Sequence, residues 1–144
     1  MSQKVTGLSW TTFQIGDSTN TLQDLRNDFT NLTFATPRGT QDVTGIDKAA
    51  KETLLLLADF TCTLNGVFDT AANFAHAVFS TVPSTSVARA FAITTNGKNL
   101  NLGTSGAGNG AVNLTDYTIT RAAAGELTFA VPGVLANGSV PTWS

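Results

Sequence analysis

Few residues in this chain are equipped for chemistry. Among 144 residues there is one histidine, His76, and one cysteine, Cys62. A general base or a nucleophile needs a partner within hydrogen-bond reach. His76 falls on the polar side of an expected helix, beside Asn73 and Ser80, with no third group to orient it as a base and no metal-ligand partner. Cys62 alternates with Phe60 and Leu64, which puts it on the apolar face of a strand, buried and inert. A single cysteine also excludes an internal disulfide and a cysteine-ligated metal cluster. Asp116 and Glu126 could face each other across the last hairpin, but a carboxylate pair with no third group is a thin basis for catalysis. The glycine-rich run Gly103–Gly110 (GTSGAGNG) raises a phosphate-cradling loop. It lacks the Lys-Ser/Thr pair of a P-loop, and its glycines do not follow the dinucleotide fingerprint, so it reads as a flexible loop tip. The expectation is no enzyme, no cofactor and no metal.

Composition points elsewhere. Charged residues make up 12% of the chain, about half the usual share of roughly 25%, and Thr, Ser, Asn and Gly fill the deficit. Mean hydropathy is +0.08 and the net charge is −2. Two readings stay open: a subunit covered by neighbouring copies, or a weakly charged Thr-rich β domain. The scattered Lys and Arg residues leave no footprint of a nucleic-acid binder. No leader opens the chain, and the apolar run Leu54–Ala58 is too short to span a bilayer, so no membrane anchoring is expected. Residues 1–144 read as one domain, with an N-terminal arm over 1–9. A tail over 133–144, apolar at Val134, Leu135 and Trp143, is expected to dock on the domain or a neighbour.

These side chains must be positioned mainly by strands. Trp10–Ile15 reads as a strand, and Leu32 and Phe34 alternate with polar residues in a second. Phe60, Cys62 and Leu64 alternate in a third. Between the last two lies a long polar connection, Pro37–Lys51, at the length of roughly 12–15 residues above which loops without structure of their own are uncommon. Val43 and Ile46 have no evident place in the subunit's own core. They sit among Arg38, Asp42, Asp47, Lys48 and Lys51, and the connection reads as an assembly loop ordered by a neighbour. Lys48–Ala58 is ambiguous between helix and extended chain, and reads as an irregular or briefly helical approach to the strand. Ala71, Phe74, Ala75, Val78, Phe79 and Val82 form an apolar stripe that predicts one helix over Thr70–Val82. Its core face is Phe74, Val78, Phe79 and Val82, with Asp69 or Thr70 as cap and Pro83 as stop.

Val87, Arg89, Phe91 and Ile93 alternate next, and Asn96-Gly97 marks a tight hairpin turn. A last hairpin runs from Leu114, Tyr117 and Ile119 to Leu127, Phe129 and Val131, ending at Pro132-Gly133. The whole is a mainly β sandwich or barrel of roughly six to seven strands with one flanking helix.

The run TNLTFATPRGTQDVTGIDKAAKETLLLLADFTCTLNGVFD, the later DYTITRAAAGELTFAVPG and the ending VPTW together resemble major tail proteins. These are the tail-tube subunits of bacteriophages with long non-contractile tails, here of the actinobacterial-phage type. The similarity covers nearly the whole chain in order, and DVTG (Asp42–Gly45), LNGVF (Leu64–Phe68) and TRAAAGELTF (Thr120–Phe129) are its most specific parts. The GTSGAGNG segment departs from the pattern, which has a tight strand-to-strand crossing there. The resemblance implies a structural virion protein, made in the host cytoplasm and placed in the tail. Its hexameric rings would stack, with strands of every subunit joining into one barrel around a DNA channel. The partners implied are further copies of the chain, a tape measure, a tail terminator and a tail tip. DNA would pass without specific binding. Thr-rich strand faces, Thr61, Thr63, Thr118, Thr120 and Thr128, are the candidate channel lining.

Three rivals are weighed against this. A capsid-decoration or tail-fibre module is also a charge-poor virion β protein, but would not form stacked rings. A carbohydrate-binding sandwich wants exposed aromatics, and only Trp10 and Trp143 are candidates. An enzyme lacks the convergent groups described above.

Overall fold

The computed structural model describes residues 4–103 and 110–144. Its strands in chain order are β1 (Trp10–Gly16), β2 (Leu22–Asp24), β3 (Phe29–Ala35), β4 (Arg38–Asp42), β5 (Thr53–Ala58), β6 (Thr61–Val67), β7 (Phe91–Thr95), β8 (Lys98–Asn101), β9 (Val112–Leu114), β10 (Thr118–Arg121), β11 (Leu127–Leu135) and β12 (Thr142–Trp143). One short helix, α1 (Ala75–Phe79), follows β6. Two antiparallel sheets form a sandwich. The first runs β12-β8-β7-β1-β2, and the second runs β10-β11-β6-β3 with β9 also paired to β11. The ribbon β4-β5 belongs to neither. The architecture is the mainly β sandwich with one helix that the alternation predicts. The strands outnumber the expected six or seven because three are only two or three residues long and carry too little pattern to read, and two more form the β4-β5 ribbon.

Alternation builds the sandwich directly. In β6, Cys62 and Leu64 are buried while Thr63 and Val67 are exposed. Opposite them, Phe129 pairs with Gly66 and Val131 with Leu64, and both β11 residues are buried. From the first sheet Phe13, Ile15, Phe91 and Ile93 complete the core. Phe129 is its aromatic hub, with ring centres 5.8 Å from Phe29, 5.6 Å from Phe79 and 6.1 Å from Tyr117. Gly66 is obligatory beneath that hub. A Cβ there would collide with the Asp28 carbonyl oxygen and stand 2.7 Å from the tip of the Phe129 ring.

Several boundaries differ from the sequence reading. The connection Pro37–Lys51 is not an irregular loop. Its first half is β4, whose partner β5 lies within the ambiguous Lys48–Ala58 stretch, and the two form a ribbon with Asp42 opposite Thr53 and Thr40 opposite Leu55. Helix propensity in AAKETLLLL yields to pairing with the neighbouring strand. The helix spans only Ala75–Phe79 instead of Thr70–Val82. Asn73 adopts a left-handed φ of 67°, which no helix interior accommodates. The Asp69 carboxylate accepts from the Ala71 amide at 2.9 Å, a local turn that competes with the helix. The Ala75 amide is instead capped by the buried Asp28 carboxylate at 2.9 Å, from a distant strand end. Val78 and Phe79 are buried as expected, whereas Phe74 and Val82 are half-buried.

Strand β11 does not stop at Pro132-Gly133 but continues to Leu135. The Pro132 carbonyl accepts from the Thr115 amide at 3.2 Å, so its missing N–H faces the same outer side. There β10 ends its pairing at Ala130 and β9 takes over at Gly133, so no ladder bond is lost. Asn96 and Gly97, with φ of 51° and 73°, make the tight turn between β7 and β8. Arg89 lies before β7 as a single bridge to Val112. It is buried, and its guanidinium donates to the Gly16 and Val78 carbonyls and to the Thr81 hydroxyl at 2.9–3.1 Å. Of the glycine-rich run, residues 104–109 lie outside the described residues, as do residues 1–3.

Candidate functional site

The chemistry-bearing residues are placed as follows. The Cys62 thiol is buried, which pushes its pKa up to about 12 and leaves it unreactive at neutral pH. His76 is half-buried between aromatic rings, 4.8 Å from the Phe68 ring centre, with Nδ1 3.2 Å from the Tyr117 hydroxyl. Asp116 and Glu126 are not opposed. The β10–β11 ladder starts at Thr118 opposite Ala130, so Asp116 precedes it and binds the Tyr117 amide and the Thr118 hydroxyl. Glu126 sits at the other end, in the turn, where its carbonyl accepts from the Ala122 amide. Among the described residues no three His, Cys, Asp or Glu side chains gather as metal ligands, and no helix is long and apolar enough to cross a membrane.

What the fold does bring together is a surface. Directly paired residues in an antiparallel sheet project from the same side. Thr120 pairs with Thr128 and Thr128 with Val67, Thr63 lies between Pro132 and Thr33, and Thr61 lies between Val134 and Ala35. Thr118 pairs with Ala130, which pairs with Asn65 and through it Asn31. All five threonines, Thr61, Thr63, Thr118, Thr120 and Thr128, thus share one outer face of one four-stranded sheet. None of the residues paired across this face is charged. Among the described residues the outer strands β3 and β10 each pair on one side only, so both edges of this sheet are open.

The second surface is the β4-β5 arm. From Ala35 to Asp59 every residue is exposed except the half-buried Thr44 and Ala58. The Asp59 amide donates to the Pro37 carbonyl at 2.9 Å and closes the arm's base where β3 stops and β6 begins. Arg38 lies along the ribbon, its guanidinium donating to the Leu56 carbonyl at 2.8 and 3.1 Å. Asp42 starts the tip, its carboxylate accepting from the Thr44 amide and hydroxyl, which holds it below its ordinary range. Val43, Ile46, Asp47, Lys48 and Lys51 fall in the tip, where Lys48 reaches Asp47 at 3.6 Å and Glu52 at 3.7 Å. Ile46 is fully exposed and Val43 largely so.

Sequence reasoning missed the arm's most apolar part. Leu54, Leu55, Leu56 and Leu57 are 55%, 56%, 41% and 90% exposed. Neighbouring strand residues face opposite ways, so both sides of the ribbon present leucine. The signal was the unbroken leucine run itself, which fits neither an amphipathic helix nor a half-buried strand.

A third feature is a groove of about 400 Å³ along the open edge of β3, lined by Gly7, Trp10, Phe13, Arg26, Phe29 and Leu32 among others. Arg26 at its rim binds the Asp24 carboxylate at 2.8 Å, which lowers the pKa of Asp24. Trp10 packs edge-on against Phe13 and Phe34, and is therefore no exposed sugar platform. Trp143 approaches Phe34 at 6.1 Å from the other side, held by the pairing of β12 with β8.

No family model and no curated protein sequence matches the chain. Solved structures do. A chain in the virion of a native gene transfer agent particle superposes with a TM-score of 0.68 at 13% identity, covering 92% of this chain and 95% of that one. A chain in the tail of an empty gene transfer agent particle, determined with C6 symmetry, gives 0.66 at 12% identity over the same shares. At such identities the likeness establishes a common fold over nearly the full length of both chains.

Proposed function

We propose that this protein is a tail-tube subunit, a structural component of a phage-like tail whose copies close into six-membered rings and stack around a DNA channel. The observation that carries the proposal is the β10-β11-β6-β3 sheet, with an uncharged outer face and two open edges. An open edge is an aggregation hazard in a monomer, and a ring of copies removes both edges at once. Strand directions alternate across the four strands, so rotating one copy about a ring axis brings β10 of the next antiparallel to β3. The joint therefore continues the ladder without reversing it. The tail structure that shares this fold has C6 symmetry. Six copies of four strands spaced about 4.8 Å apart enclose a backbone cylinder roughly 37 Å across before strand tilt widens it, enough for a nucleic-acid duplex.

The threonine and asparagine face would line that channel. Each phosphate neutralised by Lys or Arg adds affinity through counterion release, and a lining without cations avoids holding the DNA it must pass. The arm leaves the sheet at one strand end, so it would reach along the ring axis to the next ring. Leucine on both of its faces suits burial between two bodies better than docking on one. The low overall charge of 12% fits a subunit largely surrounded by others.

The test is electron microscopy of the purified chain at rising concentration. Long hollow tubes with six-fold end views are expected. Isolated trimers or monomers at every concentration would instead favour a decoration or fibre module and end the tube reading.

A further inference from the structure

We infer that Ile119 on β10 of one copy seats in the groove beside β3 of the next and keys the joint between subunits. The inference rests on the tube reading and takes it to a single side chain. Ile119 pairs with Phe129, a core residue, so it projects to the inner side of the sheet. Yet it is 44% exposed, because β10 is the edge strand and no described residue pairs beyond it. At the opposite edge of the same sheet, the inner layer is incomplete in the complementary sense. There the half-buried Trp10, Phe29 and Leu32 line an open groove over the buried Phe13.

The strand directions derived above bring β10 of the next copy antiparallel to β3 with the two inner faces continuous. A residue on the inner side of β10 then enters the layer that holds Phe29 and Leu32. Ile119 is the β10 residue with that parity and an apolar side chain. The flanks agree in charge. Antiparallel pairing sets the end of β10, where exposed Arg121 is the last residue and exposed Glu126 follows in the turn, against the start of β3. That start is preceded by the buried Asp28 and by two exposed charges, Arg26 at the groove and Asp24 paired with it. Each side offers one cation and one anion, so the joint can be made without an unpaired charge.

Cysteine pairs test this in the full chain. Residues directly opposite across two antiparallel strands have Cβ atoms close enough for a disulfide. The one native thiol, Cys62, is buried and gives little background. Ile119→Cys combined with Leu32→Cys, or with Thr30→Cys, should give covalent ladders up to hexamer on oxidation of assembled tubes. Ile119→Asp should keep the native melting temperature while raising the concentration needed for assembly at least about tenfold. Well-formed tubes that cross-link at neither pair overturn the keyed joint and leave the tube reading standing. A chain that never assembles overturns both. Where Ile119→Asp and the cross-link disagree, or Ile119→Asp fails to fold, the cross-link decides.

Discussion

The sandwich and the arm are made of similar residues put to opposite use. In the sandwich, Phe13, Ile15, Leu64 and Phe129 alternate with polar neighbours, and each is at most 2% exposed. In the arm, four leucines follow one another without alternation and remain largely in solvent. A strand whose apolar residues all face one way has its partner inside the subunit. A ribbon apolar on both faces has no such partner among the described residues, and under the proposed tube reading its burial would come from other copies. The contrast separates what the subunit needs in order to fold from what it needs in order to assemble.

The same contrast explains what was legible in the sequence. Strands β1, β3, β6 and β11 could be read because one face is buried and the two-residue period shows. The Asn96-Gly97 turn could be read because the chemistry of a tight turn is local. The arm's strands could not, since neither face of β5 is shielded by the subunit and periodicity records only burial within it. The helix was overextended because its apolar stripe continues past both ends. Its true limits are set by the left-handed Asn73 and by a cap from Asp28, 47 residues away in sequence. Thr61, Thr63, Thr118, Thr120 and Thr128 were singled out by residue type as candidate channel lining, but that they lie on one face of one sheet depends on strand order, which no local pattern encodes.

The largest effect on folding is expected at the hub of the sandwich. Phe129→Ala would empty a site surrounded by Phe29, Phe79 and Tyr117. Loss of a buried phenylalanine costs about 3–5 kcal/mol, a large part of the stability of a single domain. Chemical denaturation should show this loss in the monomer, before any assembly. A variant as stable as the native chain would mean that the sandwich interior is not the core described here.

A smaller effect is expected at Asp28, which joins β3 to the start of α1. Burial raises its pKa, and the nearby Asp69 carboxyl raises it further. A carboxyl whose folded pKa is raised stabilises fully below its unfolded value of about 3.9, and that contribution is lost as pH rises through the folded value. Asp28→Asn keeps an acceptor for the Ala75 amide and cannot ionise. The variant should therefore gain stability relative to the native chain as pH is raised from about 4 towards neutrality, and the two should converge below that. A difference that is flat with pH would show that folding does not raise the pKa of Asp28.

The smallest effect on folding, and the sharpest separation of the two regions, is expected from the arm. Residues 39–57 can be replaced by a short Gly-Ser turn joining Arg38 to Ala58, which already face each other at the ribbon's base. Almost nothing in this stretch is buried by the subunit, so little burial is lost. Closing a shorter loop has a lower entropic cost, by about 0.6 kcal/mol for each halving of length. The melting temperature of the monomer should therefore stay within a few degrees of native or rise slightly. Assembly should behave in the opposite way. Leu54 to Leu57 and Ile46 together expose a large apolar area, and burying it against neighbours at about 25 cal/mol per Å² is the main drive that the arm can offer to stacking. The shortened chain should remain folded and monomeric at concentrations where the native chain builds tubes, as read by sedimentation. Single rings would locate the arm's role between rings, because the sheet edges that close a ring are untouched. Normal tubes from the shortened chain would show that the exposed leucines serve something other than assembly. A melting temperature lowered by ten degrees or more would show that the arm belongs to the folding unit after all.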